Sequence, residues 1–219
     1  GKYVFFFDDD VVLDSDYIRI IMETFSHLQG VQLGGLTGRI VNIEERPELW
    51  ETILKMVFFL SDLGDGKIKL SGFPSLRIDE KASYVGFLSG CNMVYPKAIF
   101  SEFMFDENLT GYSYMEDVDL SYRVSKKYRL YYQPKAKLKH LSTTYKSVDS
   151  RSLRRIMVRN HYYLFRKNLP KDLPHLFAFA MSIVGLLLYN GLIMKDILSC
   201  IGIVEGLMKP LKAVERPYE

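Results

Sequence analysis

Three consecutive carboxylates, Asp8, Asp9 and Asp10, follow directly on an apolar run at residues 3–7. The run predicts a buried strand, and ligands bind beyond the carboxyl ends of strands in open α/β sheets. Adjacent carboxylates repel one another, so the pattern favours a divalent cation such as Mg²⁺ or Mn²⁺, which prefers oxygen ligands. In an extended chain Asp8 and Asp10 point the same way and offer two ligands on one face. The alternative is an acidic turn that caps the following helix.

A second acidic group, Glu116 and Asp117, opens a predicted helix in the sequence MEDVDL. A carboxylate that faces a cleft would serve as a general base and remove a proton from a substrate hydroxyl. Acidic residues are also routine in a first helical turn, where the helix dipole favours them, and this alternative stays open. His140 ends the predicted strand AKLKHL. Its neutral imidazole would complete a metal shell, although a lone histidine at a strand end is more often structural.

The elements that must position these residues alternate between strand and helix up to about residue 141. Helices are expected over 14–30, after Pro47 and over 115–127. Two strands are expected on either side of Pro134, at 128–134 and 136–141. This alternation predicts a layered α/β domain with a mainly parallel sheet. We place this domain at residues 1–148.

The charges are distributed unevenly along the chain. Residues 1–122 hold 10 basic and 20 acidic side chains, whereas residues 123–171 hold 15 basic side chains and a single acid, Asp149. A basic block of this density suggests an anionic partner, such as a diphosphate or a layer of lipid headgroups, or else a solvated face. Nucleic acid is not expected, because the block lacks a recognition motif and is followed by an apolar helix.

Residues 149–219 are predicted to form a helical appendage to the domain. A basic helix at 149–168 precedes the uncharged stretch 176–194 and a final apolar helix at 196–208. Nineteen helical residues span about 28 Å, close to the thickness of the hydrocarbon core of a bilayer. The basic helix favours contact with an anionic cytoplasmic leaflet. The alternative is a hairpin of buried helices that packs on the domain, or on a second subunit in a homo-oligomer.

The composition, with 48% hydrophobic residues, excludes disordered, collagen-like and disulfide-rich classes. Cys91 and Cys200 lie far apart in sequence and have no metal-binding spacing. We expect both to be ordinary buried thiols in a reducing compartment.

Five blocks of the sequence together resemble the inverting, family 2 glycosyltransferases, most closely the rhamnosyl- and galactofuranosyltransferase-like members. In order over residues 2–170 they are YVFFFDDDVVLDSDY, GFLSGCNMVYPKAIF, FDENLTGYSYMEDVDLSYRV, YRLYYQPKAKLKHL and RNHYYLFRKNLP. The resemblance implies the GT-A fold, in which a nucleotide-binding α/β half precedes the D-x-D metal motif and an acceptor half follows it. Because this chain starts at the D-x-D strand, we expect a C-terminal portion with little nucleoside recognition and weak or no activity by itself. We also expect its strand at 3–7 to lack neighbours.

The resemblance also implies roles for individual residues. Asp8 and Asp10 match the D-x-D positions that hold Mn²⁺ or Mg²⁺ against the diphosphate of a nucleotide-sugar donor, and His140 matches a histidine that joins them. Asp117 matches the catalytic base. The residues that would contact donor or acceptor are Asp9, Gly90, Cys91 and Glu116.

The implied reaction is a single displacement with inversion. Asp117 would deprotonate an acceptor hydroxyl, which attacks the anomeric carbon from the face opposite the diphosphate. The acceptor would be a polysaccharide, a glycolipid or lipid-linked glycan, or a glycoprotein glycan, and the site of action the cytoplasmic face of the cell membrane.

Two other functions stay open from the sequence. A phosphotransfer domain also ends an apolar strand in aspartates, and Asp8, Asp10 and Val12 fit a haloacid-type phosphatase motif loosely. That hypothesis leaves MEDVDL and His140 unexplained. A non-catalytic, membrane-anchored module that binds sugar nucleotides would keep the same fold, although the intact acids argue against a loss of catalysis.

Overall fold

The computed structural model describes residues 1–43, 48–109, 114–141 and 149–208. Along these residues the strands are β1 (Tyr3–Phe7), β2 (Val11–Leu13), β3 (Leu33–Ile40), β4 (Asp62–Leu63), β5 (Ser75–Leu76), β6 (Ser83–Val85), β7 (Asn92–Pro96) and β8 (Arg129–His140). The helices are α1 (Tyr17–His27), α2 (Leu49–Val57), α3 (Glu116–Ser125), α4 (Ser150–Asn168), α5 (Leu173–Leu188) and α6 (Ile197–Met208). A 3₁₀ turn follows β7 at Lys97–Ser101, and a π-helical turn continues α5 at Tyr189–Ile193.

Six strands form one mixed sheet in the order β1-β7-β3-β8-β2, and β6 pairs with β8 as well. Only β3 and β8 run parallel, whereas the other strand pairs of this sheet are antiparallel. The expected α/β class is confirmed, but the expected mainly parallel sheet is wrong. Strand β7 runs antiparallel between β1 and β3. Strands β2 and β6 also pair antiparallel with β8. Strand β1 therefore has β7 as its neighbour, contrary to the expectation that it would lack one.

Strand β8 is one continuous strand rather than the two that Pro134 was expected to separate. Its pairing with β3 jumps from Gln133 to Lys137, while β3 advances by one residue from Gly38. Proline has no N–H for the ladder, so the strand bulges here instead of ending. A Cβ on Gly38 would lie 2.4 Å from the Ala136 carbonyl oxygen, so the bulge requires glycine opposite it.

The sheet is covered on both faces. On one face α1 buries Tyr17, Ile21 and Phe25 against Leu36 and Val94. On the other face α3 packs through a cluster that contains Leu88, Tyr95, Leu120, Val124 and Leu130. Successive side chains of β7 point to opposite faces of the sheet, so alternate residues pack into the two clusters.

The basic helix α4 packs onto the domain, and some of its basic side chains form ion pairs within the fold. Lys167 Nζ lies 2.6 Å from Asp106 Oδ2 and 2.9 Å from Asp119 Oδ1, and the Asp119 carboxylate is almost completely buried. Arg151 pairs with Glu205 of α6. These two cations were among those expected to face a membrane, and both are engaged within the fold.

Helices α5 and α6 pack against α4. A Cβ on Gly202 would lie 2.2 Å from the Arg151 carbonyl oxygen, so α6 approaches the α4 backbone very closely. Phe179 of α5 packs against Phe165, and both contribute to a cluster shared with Phe73 and Met115. Among the described residues, Leu173–Ile193 is the one helical segment long and apolar enough to cross a bilayer, with 28% of its most apolar window buried. A membrane span, like the domain division at residue 148, stays a prediction.

His161 of α4 is completely buried and stacks on the Phe73 ring at 3.8 Å. Its Nε2–H donates to the Ser71 carbonyl oxygen at 2.7 Å, which leaves Nδ1 without a partner among the described residues. Burial lowers the pKa of His161 to about 4 from the ordinary 6.5, although the hydrogen bond to Ser71 opposes the shift.

We expect His161 to make folding sensitive to mild acid. The unfolded chain takes up a proton near pH 6.5, whereas the folded chain does so only near pH 4, so stability is present above this window and falls as pH decreases through it. The slope contributed by His161 is about 1.4 kcal/mol per pH unit. Urea unfolding at several pH values should therefore give a flatter profile for His161→Phe than for the wild type. The control is His27→Phe at an exposed position, which should keep the wild-type slope, and equal slopes for all three proteins would contradict the prediction.

Candidate active site

The turn between β1 and β2 carries Asp8, Asp9 and Asp10. Strand β2 runs antiparallel to the end of β8, and Val11 lies opposite His140. The N–H of Leu141 also donates to the Asp10 carbonyl oxygen at 2.8 Å. This backbone pairing brings His140, at the end of β8, beside the acidic turn near the start of the sequence.

The side chains of Asp8, Asp10 and His140 converge. His140 Nε2 lies 3.0 Å from Asp10 Oδ1 and 3.6 Å from Asp8 Oδ2. One ligand atom from each residue falls within 4.8 Å of the other two. Two carboxylate oxygens and an imidazole nitrogen at these distances fit a divalent metal ion.

The electrostatics of the turn also favour a cation. Burial raises the pKa of the Asp8 carboxyl, the neighbouring Asp10 and Asp9 raise it further, and His140 opposes them. A raised carboxyl pKa means that the local environment resists a further negative charge. A bound dication would relieve that cost, because it attracts the carboxylates that otherwise repel one another.

Asn42, which sequence reasoning missed, fixes the main chain of His140. Its Nδ2 donates to the His140 carbonyl oxygen at 2.7 Å, and its Oδ1 accepts from the His140 N–H at 2.9 Å. Asn42 follows β3, the parallel neighbour of β8, so both residues reach the same edge of the sheet. The available signal was a polar residue at the end of the strand-like stretch VQLGGLTGRIVNI.

Asp117 lies in the first turn of α3, on another wall of the cleft. The Gly90 N–H donates to its Oδ2 and the Val118 N–H to its Oδ1, both at 2.8 Å. Burial nevertheless raises the pKa of the Asp117 carboxyl above its ordinary value, and these hydrogen bonds only partly offset the effect. An elevated pKa suits a carboxylate that must accept a proton.

The residue before α3 has an unusual backbone. Met115 adopts a left-handed conformation with φ of 70°, and its side chain is buried. A non-glycine residue in this region costs about 1–3 kcal/mol, and such strain is concentrated at functional sites. The turn orients the start of α3, so that Glu116 and Asp117 both line the cleft.

Cys91 forms part of the cleft wall but is not reactive. It is buried, and burial raises the pKa of its thiol to about 11, even though Ser89 lies 3.4 Å from the sulfur. The thiol therefore stays neutral at physiological pH and acts as an apolar surface. The structure confirms that Cys91 and Cys200 are free, with Cys91 the more buried of the two.

One cleft of about 590 Å³ collects the residues that the sequence singled out. Its lining includes all of them, namely Asp8, Asp9, Asp10, Gly90, Cys91, Glu116, Asp117 and His140. The cleft also contains residues that sequence reasoning did not select, among them Asn42 and Tyr114. The convergence makes this cleft the candidate active site, while the role of each residue stays a prediction.

Comparison with known proteins identifies the class. The family model "Glycosyltransferase like family 2" matches residues 1–160, so the chain belongs to this family of glycosyltransferase domains. Among solved structures, it is similar to a crystal structure of GalNAc-T7 with UDP, GalNAc and Mn²⁺, with 12% identity and a TM-score of 0.47. That match covers 91% of this chain and 41% of the other chain. No curated protein matches the sequence significantly.

We expect Asp10→Asn to lower the affinity for Mn²⁺ by about 100-fold or more, because it removes a charged ligand from the set. Calorimetric titration or the EPR signal of free Mn²⁺ measures this directly. Asp14→Asn is the matched control, since Asp14 is exposed and lies outside the cleft. Unchanged Mn²⁺ binding by Asp10→Asn would show that this cluster is not the metal site.

Proposed function

We propose that this chain carries the metal and acceptor side of a GT-A glycosyltransferase that moves a sugar from a nucleotide-diphosphate donor to an acceptor hydroxyl with inversion. The proposal is supported above all by one observation: the candidate metal ligands Asp8, Asp10 and His140 share a cleft with the half-buried carboxylate Asp117. The sequence blocks favour the rhamnosyl- or galactofuranosyltransferase-like subfamily, and the family match supports the class of reaction.

In this proposal Asp8, Asp10 and His140 hold Mn²⁺ or Mg²⁺. The bound ion supplies positive charge that stabilises the diphosphate as it leaves. Asp9 lies exposed at the tip of the same turn, where it would contact the donor ribose or sugar. A cleft of about 590 Å³ is within the range of ligand sites and accommodates a nucleotide diphosphate or the transferred sugar with part of the acceptor.

Asp117 would act on the acceptor. Its carboxylate takes the proton of the acceptor hydroxyl while that oxygen forms a bond to the anomeric carbon. The bond from this carbon to the diphosphate breaks at the same time, and its electron pair leaves with the nucleoside diphosphate. The Gly90 N–H and Val118 N–H hold both oxygens of Asp117, which keeps the base in a fixed orientation. Glu116, also on the cleft wall, would orient the acceptor.

We also propose that the protein works at the cytoplasmic face of a membrane. Large apolar side chains are exposed on α5 and α6 and in the turn between them, including Phe177, Leu192, Met194, Ile197 and Leu198. Burial in a bilayer would remove this surface from water. Contact of the same helices with a second copy of the chain would also cover it, so homo-oligomerisation is the competing proposal for this surface.

Asp117→Asn is the decisive test of the base. General-base catalysis contributes about 10²–10⁴-fold to a rate, so we expect turnover to fall by this factor. Mn²⁺-dependent binding of nucleotide-diphosphate sugars should persist, because Asp117 does not belong to the metal cluster. Thermal shift and donor hydrolysis, screened over a panel of such sugars, give the two readouts. If Asp117→Asn retained full turnover, another group would be the base.

The wild-type pH profile gives an independent check. The base must be deprotonated, so kcat/KM should fall as pH decreases through the pKa of Asp117 in the free protein. Because burial raises this pKa, the fall should begin above the ordinary value of 3.8. Turnover that stayed level as pH decreased through this range would show that Asp117 is not the base.

A further inference from the structure

A second cavity of about 280 Å³ lies beside the active-site cleft, between α2, α4 and the end of α5. Most of its wall is apolar. Leu60, Phe73 and Val158 are buried around it, and Met157 and Leu186 are half-buried. A cavity near the lower end of the usual size range holds one part of a ligand rather than a whole nucleotide sugar.

Two cations line this mostly apolar cavity. Lys55 reaches it from α2 and Arg154 from α4, and both side chains are half-buried. Lys55 Nζ is 3.9 Å from Glu51 Oε2, which is a long and weak pairing. Arg154 has no carboxylate partner within the residues that the structure describes, and its Nη1 is 3.7 Å from the Met157 sulfur. An anionic group between Lys55 and Arg154 would give both cations a partner.

Tyr114 connects this cavity with the active site, because the residue lines both. Its carbonyl oxygen accepts a hydrogen bond from Asn160 Nδ2 at 3.1 Å, which ties the connection to α4. Asp117 follows three residues later at the start of α3. A molecule whose anionic group lay at Arg154 would therefore extend past Tyr114 toward the proposed base.

An apolar surface continues from the cavity on α2. No residue of α2 is fully buried, and its exposed side chains are mainly apolar: Leu49, Trp50, Ile53, Met56 and Val57. The end of α2 also packs on α5, since a Cβ on Gly185 would lie 2.4 Å from Phe58 Cβ. A long apolar chain that left the cavity would thus find apolar side chains to cover it.

We propose that this second cavity binds a lipid phosphate, and that the acceptor of the transferred sugar is linked to such a lipid. The phosphate lies between Lys55 and Arg154, the first part of the hydrocarbon chain lies against Leu60, Phe73 and Leu186, and the rest runs over α2. The acceptor assignment rests on the proposed function, whereas the binding of a lipid phosphate at this cavity can be measured without it.

The test is a calorimetric titration of the whole chain with farnesyl phosphate, farnesol and inorganic phosphate. Farnesyl phosphate should bind, and Arg154→Gln should weaken it at least about tenfold, because a charge-assisted hydrogen bond is lost. Arg155→Gln is the matched control, since the neighbouring Arg155 is exposed and does not line the cavity. Met157→Trp, which fills the cavity, should weaken both farnesyl phosphate and farnesol.

Three outcomes would overturn the proposal. Equal affinities for farnesyl phosphate and inorganic phosphate would show that the cavity is a simple anion site. Equal weakening by Arg154→Gln and Arg155→Gln would indicate a general attraction to basic side chains. Unaltered binding in Met157→Trp would place the lipid elsewhere, for example on the exposed face of α2.

Mn²⁺-dependent binding of nucleotide-diphosphate sugars, measured on the same variants, separates the two proposals. If this binding persists while farnesyl phosphate fails to bind, the lipid site is wrong and the proposed function stands. If farnesyl phosphate binds at the cavity while no nucleotide-diphosphate sugar binds, the lipid site stands and the transferase assignment, with the acceptor role, fails.

Discussion

The pairing of β2 with the end of β8 is the interaction on which the cleft depends. It is a short antiparallel ladder, Val11–Leu13 against Leu138–His140, and the Leu141 N–H extends it to the Asp10 carbonyl oxygen. A one-residue slip in this register would turn His140 to the other face of the sheet. The bulge at Pro134 bears on the same constraint, because it shifts the register with which the last part of β8 meets β3. The position of the candidate metal ligands is therefore set by backbone pairing, before any side chain of the cleft contributes.

The wall that carries Asp117 is held by a different kind of interaction. Asp119, two residues further along α3, accepts hydrogen bonds from Arg123 on the same helix and from Lys167 and Asn168 on α4. Removal of one partner from such a buried network leaves an uncompensated charge, so α3 and α4 are strongly coupled. Part of the basic block thus complements the acidic first part of the chain. The half-buried Arg154 stands out for this reason, because it has no such partner among the residues that the structure describes.

The features that the sequence could predict are those in which local chemistry determines the outcome. An apolar run that ends in aspartates, and a helix that opens on Glu116 and Asp117, are visible in a few adjacent residues, and both lie in the cleft. Strand direction was not predictable in this way, because an alternation of strands and helices does not reveal that β7 inserts antiparallel between β1 and β3. The left-handed turn at Met115 depends on tertiary contacts, so no local pattern marks it, and Asn42 is marked only by its place at the end of a strand-like stretch.

Two opposing effects act on the pKa of Asp117: the helix N-terminus lowers it and burial raises it. The sequence alone does not show which effect is larger, but their magnitudes do. A helix N-terminus stabilises a carboxylate by about 0.3–1 kcal/mol, which is less than one pKa unit. Full burial of a carboxyl group can raise its pKa by about 3–5 units. The N–H groups of Gly90 and Val118 add to the helix effect, yet the pKa is still raised, because burial is the larger contribution. The same two N–H groups fix the orientation of the carboxylate, so its burial in the cleft wall makes Asp117 more basic while its backbone donors keep it in place.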